Sequence, residues 1–248
     1  MILSASAAHA NPFNLDQGDG RVILDASYTA SPQQFNDHGH VYNAQNYNQT
    51  NVYAVGEYGL TDKINLLFTP SFKSIDLQGP NNNSTGLGYT DVGARYQVAK
   101  GGNWVFAVQG IARISGTGRD YGIAQIGNNG TQFDLRALSG YTFGKSFVTL
   151  EGSYRFRTGR AQNEVHADVT LGTRLAPRLL LLGSVFNTFS DGRGTGVYDY
   201  SYRYHDVYLS AVYDLTKRVS LQLGATGTVA GRNALRQRGP VAGIWYTF

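Results

Sequence analysis

Asp134, Glu151, Arg155, Arg157, Glu164, His166 and Asp168 bring seven side chains able to do charge chemistry into one short stretch of the chain. Three kinds of chemistry suit them. A ring of mixed charge can line a constriction and sort solutes by charge, as in pores. The same groups can neutralise one another and fill a narrow space away from bulk water. Ser153, His166 and Asp168 together invite a hydrolase. Pairing argues against that reading. With residues 158–163 as a turn, Ser153 faces Asp168, His166 lies beside Arg155, and no acid orients the histidine. No GxSxG-type nucleophile motif is present. No catalytic residue is assigned, and the constriction and the filled space stay open as alternatives.

Metal chemistry has little to work with. The histidines are His9, His38, His40, His166 and His205, and they are dispersed. His38-Gly39-His40 reads as a solvated loop. There are no cysteines, which removes thiolate ligands and disulfides. No cofactor is expected. The net charge of +4 comes without a Lys/Arg run, so no nucleic-acid partner is expected.

The elements that must position the charged groups are strands. Two-residue alternation recurs along the chain and is broken by turns. In 164–175, Val165, Ala167, Val169, Leu171 and Leu175 alternate with Glu164, His166, Asp168, Thr170 and Arg174. In 91–98, Val92, Ala94, Tyr96 and Val98 alternate with Asp91, Gly93, Arg95 and Gln97. Twelve strands are expected, at roughly 20–31, 49–60, 63–75, 86–98, 103–115, 130–143, 146–157, 164–175, 178–190, 200–213, 217–230 and 238–248. The 178–190 strand is apolar on both faces, so its orientation is undetermined.

Connections alternate in length. Tight turns fall at 60–63, 99–103, 144–146, 176–178 and 214–218, and longer Gly/Asn-rich loops at 32–48, 78–85, 116–129 and 191–199. Long-short alternation with an even strand count marks an outer-membrane barrel with short periplasmic turns. The 31 glycines, 17 tyrosines and only 15% charged residues agree. No stretch is apolar for long enough to be a spanning helix. The expected fold is all-β: one closed antiparallel barrel in the outer membrane of a Gram-negative bacterium. Residues 1–10, ending Ala8-His9-Ala10, read as the remnant of a secretory signal, and 11–248 as the barrel.

In such a barrel the charged face becomes a lumen. Pairing through 158–163 sets Arg157 opposite Glu164, Arg155 opposite His166 and Ser153 opposite Asp168. Pairing through 144–146 sets Arg155 opposite Asp134 and Arg136 opposite Ser153. Opposite charges across a ladder favour pairing by up to about 1 kcal/mol each. Glu57, Asp91, Arg95, Arg113 and Arg136 join the lattice. Tyr198, Tyr200, Tyr202, Tyr204 and Tyr208 share a face toward the lumen and outer mouth. There they either stack on an aromatic or sugar-like solute or form a rim ladder. Trp245, Tyr246, Tyr96, Trp104, Phe147 and Tyr213 sit near turns, where an interfacial girdle belongs.

The chain ends GPVAGIWYTF, with Tyr246 and Phe248 on the greasy face. Its aromatic-x-Phe terminus resembles the signal read by the bacterial barrel-assembly machinery. The segments EYGLTDKINLLFTPSF (57–72), TGLGYTDVGARYQV (85–98) and NEVHADVTLGTRLAPRLLLLGSVFNTFSDG (163–192) resemble the outer-membrane family associated with meta-pathway phenol degradation. The resemblance runs from about residue 50 to the C-terminus. It rests on Glu57-Tyr58-Gly59-Leu60-Thr61, Gly88, Asp91-Val92-Gly93 and the turn at 175–179. It implies a barrel and a transport role for aromatic compounds, and supplies no catalytic residues. The expected function is passive passage of a small aromatic or hydrophobic solute through a narrow charge-lined lumen. The alternatives are a closed structural or partner-binding barrel and, third, a lipid hydrolase. The expected partners are outer-membrane lipid and lipopolysaccharide, the assembly machinery and the solute.

Overall fold

The computed structural model describes residues 12–77, 83–118, 126 and 130–248. The expected leader, residues 1–10, lies outside the described residues, as do parts of the 78–85 and 116–129 loops.

Fifteen strand segments form one antiparallel sheet of twelve staves. They are β1 (Gly20–Phe35), β2 (Val41–Thr61), β3 (Ile64–Thr69), β4 (Ser71–Leu77), β5 (Ser84–Leu87), β6 (Thr90–Gly101), β7 (Trp104–Ile114), β8 (Gln132–Phe143), β9 (Ser146–Arg157), β10 (Asn163–Ala176), β11 (Leu179–Asp191), β12 (Arg203–Asp214), β13 (Val219–Arg232), β14 (Ala234–Leu235) and β15 (Arg238–Thr247). Three staves are interrupted. β3 and β4 both pair with β2 and are separated at Pro70, which lacks the N–H a ladder needs. β5 and β6 make the next stave, and β14 and β15 the last. β1 pairs with β2 on one side and β15 on the other, from Arg21↔Thr247 to Ala30↔Arg238. That seam closes the barrel and leaves no sheet edge for lipid to meet.

The expected twelve strands are therefore present, with two differences at the outer end. The long loop expected at 32–48 is mostly strand, and only residues 36–40 link β1 to β2. Strands of 16 and 21 residues exceed the roughly 9–11 needed to span a bilayer, so this hairpin continues beyond it. Between β13 and β14 the link is Asn233 alone, at φ +48°. Asparagine tolerates this left-handed turn position better than most residues.

The alternation sorts the faces. Leu24, Phe68, Val92, Val108, Leu135, Leu171, Leu209 and Ile244 point outward and are exposed. A closed barrel with this exterior is a transmembrane barrel of the outer-membrane type. In β11 the even residues Leu180, Leu182 and Ser184 are buried, which fixes the strand that sequence left undetermined. Tyr96, Trp104, Tyr213 and Tyr246 are exposed near the tight-turn end, as a girdle requires. Trp245 and Phe147 correct the expectation: both are buried inside. Trp245 follows the parity of its strand, opposite to Tyr246, and its indole N–H donates to Gln222 at 2.7 Å. Val108 lies at the centre of β7, facing lipid. Val108→Arg is expected to destabilise the barrel by roughly 2–4 kcal/mol. The check is denaturant unfolding in vesicles, and an unchanged midpoint would contradict the assigned exterior.

Candidate functional site

The interior is layered from the outer mouth to the tight-turn end, which faces the periplasm in barrels of this type. At the mouth a strap folds inward. It contains a single 3-10 turn, Gly196–Tyr198, which leads into β12. The Tyr202 hydroxyl donates to Glu164 and accepts from Arg157 Nη1 at 3.1 Å. Gln162 Nε2 donates to the Tyr200 carbonyl oxygen at 2.6 Å. Burial raises the pKa of both phenols, and the Glu164 charge adds to the effect at Tyr202. Tyr202 thus remains a protonated donor through neutral pH.

The five tyrosines do not share one strand face. Tyr198 and Tyr200 precede β12, because the strand begins at Arg203 rather than near 200. Tyr200, Tyr202 and Tyr204 still follow one another ring to ring at 6.0 and 6.2 Å. Tyr204 and Tyr208 project into the lumen, where Tyr208 accepts from Gln222 at 3.0 Å.

Below the strap lies the charge lattice. Asp134 accepts from Arg155 Nε and Nη2 at 2.7 and 2.9 Å and from Arg136 Nη2 at 2.7 Å. Arg155 Nη1 reaches Glu164 at 2.9 Å, and Arg157 pairs with the same carboxylate. Arg136 Nη1 reaches Glu151 at 3.0 Å, and Arg113 Nε reaches Asp91 at 2.8 Å. Arg113 also lies over the Tyr89 ring, 5.1 Å from its centroid. Bidentate, charge-assisted bonds of this kind hold planar groups in fixed orientations.

The expected lattice is brought together, with one correction of register. β9 and β10 pair Arg155↔Glu164, Ser153↔His166 and Glu151↔Asp168, two residues from the expected alignment. The β8–β9 expectation, Asp134↔Arg155 and Arg136↔Ser153, agrees. Ser153 therefore does face His166. The histidine nitrogens go elsewhere, Nε2 to Glu164 and Nδ1 to Thr188, each at 3.2 Å. Among the described residues no nucleophile–base hydrogen bond forms here.

The lattice walls a cavity of about 280 Å³. Arg113, Arg136 and Arg155 line it together with Glu151, Asp168, Asp206, Phe186 and Tyr204. At the same height the wall itself is irregular. The β10–β11 ladder skips from His166↔Thr188 to Val169↔Val185. Side chains replace the missing rungs. Asp168 Oδ1 accepts from the Asn187 N–H at 2.9 Å, and the Asn187 side-chain amide donates to the Ala167 carbonyl oxygen. Next to the chamber, around Glu57, Asp91, Arg95 and Arg136, the free space shrinks to about 30 Å³, one water's share of the liquid.

The periplasmic half is filled. Ile23, Val55, Phe147, Leu180, Leu182, Val212 and Trp245 form an apolar cluster inside the barrel. Residues 12–18 enter it from below. Phe13 packs edge-on against Phe147, with centroids 6.1 Å apart, and Leu15 is buried. Arg95 donates to Asn14 Oδ1 at 3.0 Å and to the Phe13 carbonyl oxygen at 3.4 Å. In the amide orientation that satisfies its neighbours, Asn65 accepts from Arg95 and from the Leu15 N–H at 3.1 and 3.0 Å. Two glycines make room. A Cβ at Gly59 would strike the Asp16 carbonyl oxygen, and one at Gly140 would strike Pro12 and Phe13. Glu57 anchors the layer, pairing with both Arg21 and Arg95.

Sequence reasoning placed residues 12–18 in the barrel domain without seeing that they occupy its lumen. It also missed Arg21, Asp25 and Asp206, which face inward. Their alternate positions within strands carried that signal.

The fold and interior together define an outer-membrane-type barrel whose lumen is layered and occupied by its own N-terminal segment. A family model described as "Putative MetA-pathway of phenol degradation" matches residues 16–248, and the chain belongs to that family. The match reaches through β1, further than the segments that carried the resemblance. No curated protein matches the chain. The fold is similar to an outer membrane channel from Pseudomonas putida F1, with TM-score 0.80 and 17% identity over 96% of this chain and 98% of that one. It is also similar to the translocator domain of the autotransporter NalP from Neisseria meningitidis, with TM-score 0.59 and 13% identity over 94% and 90% of the two chains. The CymD monoaromatic hydrocarbon channel aligns with TM-score 0.51 and 9% identity over 94% and 88%.

Proposed function

We propose that this barrel is a passive outer-membrane channel for a small solute, aromatic or hydrophobic by kinship, with the residue 12–18 segment as its movable stopper. One observation carries the reading. The periplasmic half is filled by wall side chains and by a strand-free segment, itself no wall element, held through side-chain contacts and a few hydrogen bonds. A wall element cannot leave without opening the sheet; this segment can. The mouth tyrosines and the chamber offer an entry lined by aromatic faces and fixed charges. The similarity to a monoaromatic hydrocarbon channel and to the Pseudomonas channel supports the same reading.

Planar-bilayer recording tests it. The full chain is expected to show brief openings separated by long closures. Arg155→Ala frees Asp134 and Glu164 from a shared cation, so the cation-to-anion permeability ratio is expected to rise about twofold or more. Openings whose selectivity ignores Arg155 would place the ion path elsewhere. Silence from both proteins, and from a chain shortened to begin at Asp19, would favour a closed barrel that works through its outer surface.

A further inference from the structure

The chamber carries an unbalanced charge. Four carboxylates, Asp91, Glu151, Asp168 and Asp206, face three guanidiniums. Each arginine is already engaged: Arg113 by Asp91, Arg136 by Asp134 and Glu151, and Arg155 by Asp134 and Glu164. Asp168 and Asp206 have no ion pair among the described residues, and Asp168 lies directly across the ladder from Glu151. Like charges so placed oppose pairing unless a cation joins them. Glu151 is only 5% exposed, yet its Oε2 atom has no hydrogen-bond partner. Asp206 is half-buried, and its Oδ1 atom also lacks a hydrogen-bond partner. Buried polar atoms of native proteins nearly always find a partner, so these atoms call for a water, an ion or a ligand group.

The remaining walls indicate what kind of group. Phe186 and Tyr204 face the same space, and aromatic faces attract cations. No set of three ligands suited to a metal ion occurs among the described residues. We propose that the chamber binds an organic ammonium with a small aromatic or apolar body. The ammonium sits among Glu151, Asp168 and Asp206, and the body lies against Phe186 and Tyr204. This names a solute class for the proposed channel and relies on that reading only for access from outside.

The test is titration calorimetry on the full chain in detergent micelles, with benzylammonium, benzyl alcohol and benzoate as probes. Benzylammonium is expected to bind at least about tenfold more tightly than either of the others. Asp206→Asn alone, and together with Asp168→Asn, is expected to remove about tenfold or more of that affinity. The single variant guards against disturbance of the Asn187 contact, and slower migration after boiling confirms that each barrel is folded. Equal affinity for the alcohol, indifference to both variants, or no binding of any probe would overturn the site. Ammonium-selective binding without flux in bilayers would keep the site and remove the channel. Flux without ammonium preference would do the reverse.

Discussion

A chain beginning at Asp19 is expected to conduct steadily where the full chain is mostly closed. Residues 12–18, which it lacks, contribute no strand, and β1 begins beyond them at Gly20. Burying Phe13 and Leu15 contributes roughly 1.5–3 kcal/mol each. The segment's bonds through Arg95, Asn65, Asp62 and Gly59 add about 1 kcal/mol apiece. Ordering seven residues opposes this by about 1–2 kcal/mol per residue. The two sides nearly cancel, which describes a stopper poised to leave. Its loss is expected to raise mean conductance on the order of tenfold, while gel mobility shows an intact barrel. A shortened chain that folds and stays silent would show that the apolar cluster alone seals the lumen, and the stopper would lose its role.

Glu57→Ala is expected to have the largest effect on stability. Glu57 is the shared partner of Arg21 and Arg95, which are 1% and 2% exposed. Removing it leaves two buried guanidiniums without their shared carboxylate. Breaking a buried pair in this way destabilises by about 3–5 kcal/mol. The readout is the temperature at which the compact gel band converts to the unfolded one, and Glu57→Gln, which keeps an acceptor, is expected to fall between. Because Arg95 also holds Asn14 and the Phe13 carbonyl, the alanine variant is expected to open more often in bilayers. Unaltered melting would mean that the arginines find solvent or other acceptors, and the anchor would have to be sought elsewhere.

How much of this was legible in the sequence depends on what each signal can fix. Alternation decides faces, and Asp134, Arg136, Glu151, Arg155, Glu164 and Asp168 take the inward parity of their strands. It fixes register only modulo two. A one-residue slip moves every side chain to the wrong face, whereas a two-residue slip leaves the pattern intact. That is why Arg155 was set opposite His166 instead of Glu164. Trp245 and Phe147 were misplaced because residue type was weighed above parity. The stopper had no periodicity to read. Pro12-Phe13-Asn14-Leu15 is a short irregular stretch, and its place depends on Gly59, Asn65, Arg95 and Gly140, brought together only when the barrel closes.

The seam between β1 and β15 sets an order of events. Arg21 and Thr247 lie far apart along the chain, so their pairing closes one of the longest loops among the described residues and is among the contacts least favoured to form early. The stopper is covalently joined to β1, one partner in that seam. It has to be inside before the last strand docks, or thread in afterwards past walls that have already met. On the first route, closing the barrel and loading its stopper are one assembly step, and a newly inserted molecule begins its life shut.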